Sequence, residues 1–423
     1  ESVQLLTNAM KAPTTKECPF YLTNWVGDKT KFALYLCRDG CGTAWVYAIM
    51  AHMNRRDFLK LGAGAAVGAT VTDGLSATAK AAKGPVAPEG DIRAFLVHLG
   101  HNMWCDWYPE GFDVSGCRES LPDATLRCRD EIWRRAVDYA ASKGVNQIVV
   151  DVGEGLAYPR RPELAIAGSW SSEKLAAEVG RLHGLGVEVV PKLNFSTTHN
   201  GWLKHYRRMV GTPEYYRVCE DCLRDVSEVF GSPRLIHIGC DEEDGEWHVM
   251  HSKSRKYVVV RRDEVWKQDF LRLVRTVEGL GARTWAWSDY GWDNPDFLKW
   301  CPKGVLLSNW YYDECHGGFD PKTNKTRDHQ RLIQFWQLEE AGFDQVPCGT
   351  NWVGWARKKK NVGADDVIGK LVRTCRGCIS PERLKGFLMA PWAACDTEAN
   401  LATMTRGVDL FAAALSGRAP SVG

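Results

Sequence analysis

From Asp91 onward, short apolar runs alternate with longer stretches whose apolar positions recur every three to four residues. The short runs are Arg93–Leu99, Gln147–Val152, Glu188–Leu193, Leu235–Ile238, Arg283–Trp287, Val305–Ser308, Gln345–Cys348 and Gly386–Ala390, and they read as strands. The stretches between them, Arg129–Lys143, Ser172–Leu182, Pro213–Phe230, Arg262–Leu280, His329–Ala341, Asp365–Cys375 and Asn400–Leu415, read as amphipathic helices. The first shows the period plainly, with Ile132, Trp133, Ala136, Val137 and Ala140 on one face. Strand–helix alternation signals a parallel sheet with crossover helices. Eight such units over residues 91–423 predict an α/β fold of the (β/α)8 TIM-barrel type, a single catalytic domain. An open doubly wound sheet is the alternative, disfavoured because no Gly-x-Gly-x-x-Gly turn follows the first strand.

Barrel chemistry sits at the C-terminal ends of the strands. Here those ends are polar and aromatic together: His98–Asn102, Asp151–Glu154, Asn194–His199, Asp241–Asp244, Trp287–Asp289, Asn309–Asp313, Asn351–Trp352, and Trp392 with Asp396 and Glu398. Any one is ordinary loop composition; eight in register define a candidate pocket.

Composition narrows the partners. Lys plus Arg total 54 against 52 Asp plus Glu, a net charge of +2, without the basic excess of a general nucleic-acid binder. Trp, at 18 residues, outnumbers Tyr and Phe, and many stand beside Gly, Asp or Asn. That pattern suits a pocket for a flat, partly apolar ligand, although a Trp-rich core would give the same count. No apolar run reaches the roughly 18 residues that a membrane helix needs. Of 15 cysteines, Cys219/Cys222 and Cys375/Cys378 are close pairs, but both fall in helical stretches and read as thiols rather than zinc half-sites. No metal and no cofactor is expected.

Residues 53–60, Met-Asn-Arg-Arg-Asp-Phe-Leu-Lys, precede a Gly/Ala-rich apolar run from Leu61 to Val71 and the small-residue stretch Ala77-Thr78-Ala79. The order resembles a bacterial twin-arginine export signal, so residues 53–82 are expected to engage the twin-arginine export machinery and place the protein in the periplasm or outside the cell. Residues 1–52 then read as an over-extended upstream segment with no assigned function; a small N-terminal domain is the alternative.

The fourth predicted strand carries Ile236-His237-Ile238-Gly239-Cys240-Asp241-Glu242, which resembles the His-x-Gly-Gly-Asp-Glu signature of family 20 glycoside hydrolases, the β-N-acetylhexosaminidases, with Cys240 at the second glycine. Pro191 and His199 match that family's Ile-Pro-Glu-Ile-Asp-x-Pro-Gly-His stretch, with Lys192 at the Glu. Gly386–Trp392 resembles its last strand with a substrate Trp. The family's first-strand Arg has no counterpart in His98–Trp104, and the sugar identity stays open.

The resemblance implies an exo-acting enzyme on terminal N-acetylhexosamine, in which the substrate's own acetamido oxygen is the nucleophile. Asp241 would hold the acetamido N–H and Glu242 would be general acid, then base. His199, Trp285, Trp287, Trp310, Tyr311, Tyr312, Asp313, Trp392, Glu398 and Glu154 are the expected carbohydrate-binding residues, with only one of Tyr311 and Tyr312 able to face the pocket because neighbours in a strand point to opposite sides. A two-carboxylate glycosidase on another sugar and a non-catalytic carbohydrate-binding barrel are the competing readings.

Overall fold

The computed structural model describes residues 21–27, 30–38, 44–50, 79–88, 90–108, 121–243, 259–312, 327–351 and 367–417. The chain divides into two compact units, Glu1–Leu75 and Ser76–Gly423. In the first, β1 (Tyr21–Gly27), β2 (Thr30–Arg38) and β3 (Ala44–Met50) form an antiparallel sheet in that order.

The second unit is built on eight parallel strands: β4 (Ile92–His98), β5 (Gln147–Asp151), β6 (Glu188–Lys192), β7 (Leu235–His237), β8 (Arg283–Trp287), β9 (Leu306–Ser308), β10 (Cys348–Gly349) and β11 (Gly386–Met389). The sheet order β10-β11-β4-β5-β6-β7-β8-β9 leaves one seam, and bridges Leu307–Gln345 and Trp310–Cys348 close it. The fold is the expected (β/α)8 barrel. Among the described residues its longer helices are α1 (Asp130–Ser142), α2 (Ser172–Gly184), α3 (Pro213–Val229), α4 (Asp263–Gly279), α5 (Arg327–Glu340), α6 (Val367–Cys378) and α7 (Glu398–Ser416), with two single-turn helices, Tyr290–Asp293 and Phe297–Trp300, after β8. Local sequence sets where several begin. Ser171, Thr212 and Thr397 accept hydrogen bonds from Lys174, Tyr215 and Asn400, and Pro213 occupies the first turn of α3, where its missing N–H costs nothing.

Alternation along the strands separates two apolar layers. Phe95 and Val97 face the helices, whereas Ala94 and Leu96 face the lumen with Val149, Val190 and Leu235. At the first strand's entry, Gly386 has φ +144° and a Cβ there would lie 2.0 Å from the Ile92 carbonyl, so only glycine lets β11 approach β4.

Residues 53–78 of the expected leader lie outside the described residues. Ala81, near the leader's expected end, donates its backbone N–H to Val229 of α3 at 3.0 Å. Ala87 is buried in the lumenal layer and donates to Glu188 Oε2 at 3.0 Å, so this segment covers the barrel's N-terminal end. No helix among the described residues is long and apolar enough to cross a membrane.

Candidate active site

Register brings four titratable side chains to one level of the lumen. His98, Asp151, Lys192 and His237 are successive Cα partners across β4 to β7, and Trp285 of β8 and Leu306 of β9 continue the row. All four are buried. Lys192 forms an ion pair with Asp151, and His98 Nδ1 lies 3.5 Å from the same carboxylate oxygen. Burial, reinforced by the Lys192 charge, lowers the pKa of His98 to about 3 and holds that of His237 well below the ordinary value, so both rings are neutral near pH 7. His237 Nδ1 accepts from the Gly239 N–H at 3.0 Å, which leaves the proton on Nε2.

Directly beyond this row the chain makes a tight turn. Gly239, Cys240 and Glu242 all have positive φ, at 72°, 71° and 56°. For the two non-glycine residues this backbone costs on the order of 1–3 kcal/mol each and persists only where neighbours hold it. Asn194 Oδ1 accepts from the backbone of Ser196 at 3.0 Å and of Cys240 at 3.3 Å, while its Nδ2 donates to Asp241 Oδ1 at 2.8 Å. Asp289 Oδ2 accepts from the Glu242 N–H at 2.7 Å. Glu243, fully buried, receives Arg261 in a two-point ion pair at 2.7 and 2.8 Å and the Thr197 N–H at 2.9 Å. A Cβ on Gly239 would meet Asn194 Oδ1 at 2.1 Å, so glycine is required where the turn crosses that amide.

The turn presents Asp241 and Glu242 in different surroundings. Burial raises the Asp241 pKa, opposed by Lys192 and by the Asn194 amide. The Glu242 side chain is the more open of the two, 18% exposed against 12%. His199 stands between them, Nδ1 at 3.9 Å from Asp241 Oδ1 and Nε2 at 3.6 Å from Glu242 Oε2, while Thr198 Oγ1 lies 2.9 Å from its Nδ1.

Three aromatics flank this centre. The Trp287 ring is 4.8 Å from His237 and 6.1 Å from Trp392, and Trp392, itself at φ 53°, is 5.9 Å from His98. Tyr312 packs on the lumenal layer beside Cys348, and burial keeps its hydroxyl pKa well above the ordinary value. Trp310 stacks on Tyr312 at 4.9 Å and meets Trp292 edge-on at 4.5 Å. Trp285 lies deeper, its Nε1 donating to Ser308 Oγ at 2.8 Å.

Three expected binding residues are placed elsewhere. Tyr311 packs in the outer, helix-facing layer, whereas Tyr312 packs against the lumenal one. Glu398 opens α7 on the outer surface, 63% exposed and paired with Arg135 of α1. Glu154 is buried with Oε1 accepting from the His101 and Asn102 N–H groups at 2.7 and 2.9 Å, so it shapes the first loop. Asp313 lies outside the described residues. Sequence reasoning set Asn194, Glu243 and Asp289 at the strand ends and noted Lys192 in the motif without giving any of them a site role, and it missed Arg261. One signal was available: Lys192 is a charge at a lumen-facing strand position. Trp104, 6.2 Å from His199, also belongs to the site's surroundings.

The class of molecule is thus a (β/α)8 barrel with an adjacent, differently held carboxylate pair at the C-terminal ends of its strands. Residues 52–72 match the twin-arginine translocation pathway signal sequence, which marks the chain for export. No curated protein sequence matches. Among solved structures, β-N-acetylhexosaminidase from Bacteroides fragilis NCTC 9343 is similar at 13% identity and TM-score 0.47, over 74% of this chain and 64% of that one. Dispersin B matches at 13% identity and TM-score 0.47, over 70% of this chain and 96% of that one. A GH20 exo-β-N-acetylglucosaminidase from Vibrio harveyi matches at 10% identity and TM-score 0.46, over 88% of this chain and 57% of that one. The chain therefore spans less than two thirds of the first and third of these proteins. The barrel assignment rests on the strand order and closure described above.

Proposed function

We propose that this protein is an exported glycoside hydrolase that removes terminal N-acetylhexosamine by substrate-assisted, retaining hydrolysis, working in the periplasm or outside the cell. The observation that carries the reading is the Asp241–Glu242 pair: two adjacent acids on one strained turn, one enclosed and amide-bonded, the other more open, with His199 within 4 Å of both. Adjacent carboxylates cannot sit on opposite faces of one scissile bond, so a mechanism using both needs them in separate jobs.

Glu242, the more open acid, gives its proton to the departing glycosidic oxygen and then activates water on the return step. Asp241 accepts the acetamido N–H, aims the acetamido oxygen at the anomeric carbon and offsets the positive charge that develops on the oxazolinium ring. Asn194 fixes the rotation of its carboxylate. Tyr312 keeps its proton at all physiological pH and can donate it to the acetamido oxygen. Trp287 and Trp392 cover the apolar faces of the pyranose and exclude water.

A pair of aryl glycosides tests the assignment. The N-acetylglucosaminide or N-acetylgalactosaminide should be cleaved and the plain glucoside ignored. Equal turnover of both would remove Asp241 from the acetamido role.

A further inference from the structure

Two cysteines far apart in sequence meet beside the site. Cys128 lies two residues before α1, next to its N-cap Arg129, and Cys395 lies three residues after Trp392. They are Cα partners in a parallel bridge, with the Arg129 N–H donating to the Cys395 carbonyl at 2.7 Å. Bridge partners on adjacent strands stand about 5 Å apart with side chains on the same side, inside the range a disulfide spans. The next residue back, Ala394, bridges to His98 of the titratable row, so this strap continues the barrel pairing. Cys128 is half-buried and Cys395 fully buried.

We infer that Cys128 and Cys395 are a disulfide-forming pair, closed after export, that ties the entry of α1 to the strap carrying Trp392. The twin-arginine route carries folded proteins, so the two thiols cross the membrane already juxtaposed, from a reducing compartment into an oxidising one. The half-buried Cys128 thiolate attacks a disulfide-containing oxidant, a small-molecule or protein disulfide, and expels one thiolate. The Cys395 thiolate then attacks Cys128 Sγ and expels the second. The balance is two cysteine thiols plus one disulfide giving one cystine plus two thiols. In the reduced pair the hydrogen bond with Cys128, together with burial, raises the Cys395 pKa, so the half-buried Cys128 is the thiol that attacks first. Cys375 and Cys378, one turn apart on α6, also touch, but join only neighbouring residues and tether nothing.

The test compares the full chain recovered after export with the same chain held in the cytosol by Arg55→Lys/Arg56→Lys. Each is alkylated unreduced, denatured and digested with trypsin. The expected product from exported protein alone is Cys128-Arg129 linked to the peptide 386–406, lost on reduction. Separate alkylated peptides from exported protein overturn the inference, as does a link between 374–376 and 377–383 with Cys128 and Cys395 both alkylated. The half-buried position tolerates Cys128→Ser, which gives a second readout. Reductant should lower the wild-type Tm by about 4 °C, the scale of one long-loop cross-link in a barrel of this size, and leave Cys128→Ser unmoved. Equal response of both proteins would also overturn it.

Discussion

Replacing Asn194 by Asp perturbs one bond at the candidate centre while sparing the rest. The acceptor Oδ1, which receives the Ser196 and Cys240 N–H groups, survives in an aspartate, so the strained turn keeps its anchors. What disappears is the Nδ2 donor 2.8 Å from Asp241 Oδ1, and a second carboxyl group takes its place. A hydrogen bond to a charged group contributes about 1.5–3 kcal/mol, and 1.36 kcal/mol corresponds to one pKa unit. Losing it alone moves the Asp241 titration upward by about 1–2 units, and two carboxyls at hydrogen-bond distance must share a proton, which pushes it further in the same direction. If Asp241 has to be anionic to offset the oxazolinium charge, kcat/KM should fall by about 10- to 100-fold on the acid side of the profile and recover as pH rises. The assay is the pH dependence of kcat/KM on an aryl N-acetylglucosaminide, with the melting temperature followed alongside. An Asn194→Asp enzyme whose acid limb superimposes on that of wild type, at unchanged stability, would refute the electrostatic role of Asp241.

Further outcomes are expected. Glu242→Gln should lose about 10²–10⁴-fold on a methyl glycoside and far less on a dinitrophenyl glycoside, whose departure hardly needs a proton; parallel dependence on leaving-group pKa for mutant and wild type would remove Glu242 as the acid. His98 is buried with its pKa lowered from 6.5 to about 3, so the unfolded chain binds its proton first and stability falls as pH drops through that window. Between pH 7 and pH 4.5, urea unfolding should show His98→Gln losing roughly 2–3 kcal/mol less stability than wild type, since the other buried histidines contribute their loss to both. Lys192→Met should cost about 3–5 kcal/mol by stranding Asp151, and adding Asp151→Leu should recover most of it; a double mutant worse than the single would contradict the pairing. A chain starting at Ala79 should match the longer one in Tm, whereas one starting at Asp91 loses the Ala87 plug and should be less stable by about 2 kcal/mol.

The barrel was legible because its signals are local and repeated. Each strand run and helical period in residues 91–415 has a counterpart in the structure, shifted by a few residues at the ends, as at β7, where pairing stops at His237 because the chain turns left-handed at Gly239. The acidic pair was legible as a motif. Which flanking residues join it was not, because position at a strand end fixes height in the barrel and not direction. Tyr311 and Tyr312 share a height and face opposite layers, and Glu398 sits at the correct end of the barrel but on the outside of α7.

The residues that hold the site were harder to see because their roles depend on pairing across strands. Lys192, Asp151 and His98 are separated by 41 and 53 positions in sequence, yet parallel register lays them side by side. The consequence reaches Asp241, since the Lys192 charge is the largest influence opposing its burial, ahead of the Asn194 hydrogen bond. A cation placed in the lumen would be expensive alone, and Asp151 makes it tolerable. The pair is therefore nearly neutral as a unit but directional, and it leaves some positive potential on the side of Asp241. The fold's pairing rule, rather than any local motif, puts that potential beneath the turn, so the rise that burial imposes on the Asp241 pKa is opposed by a charge that no contiguous pattern in the chain connects to it.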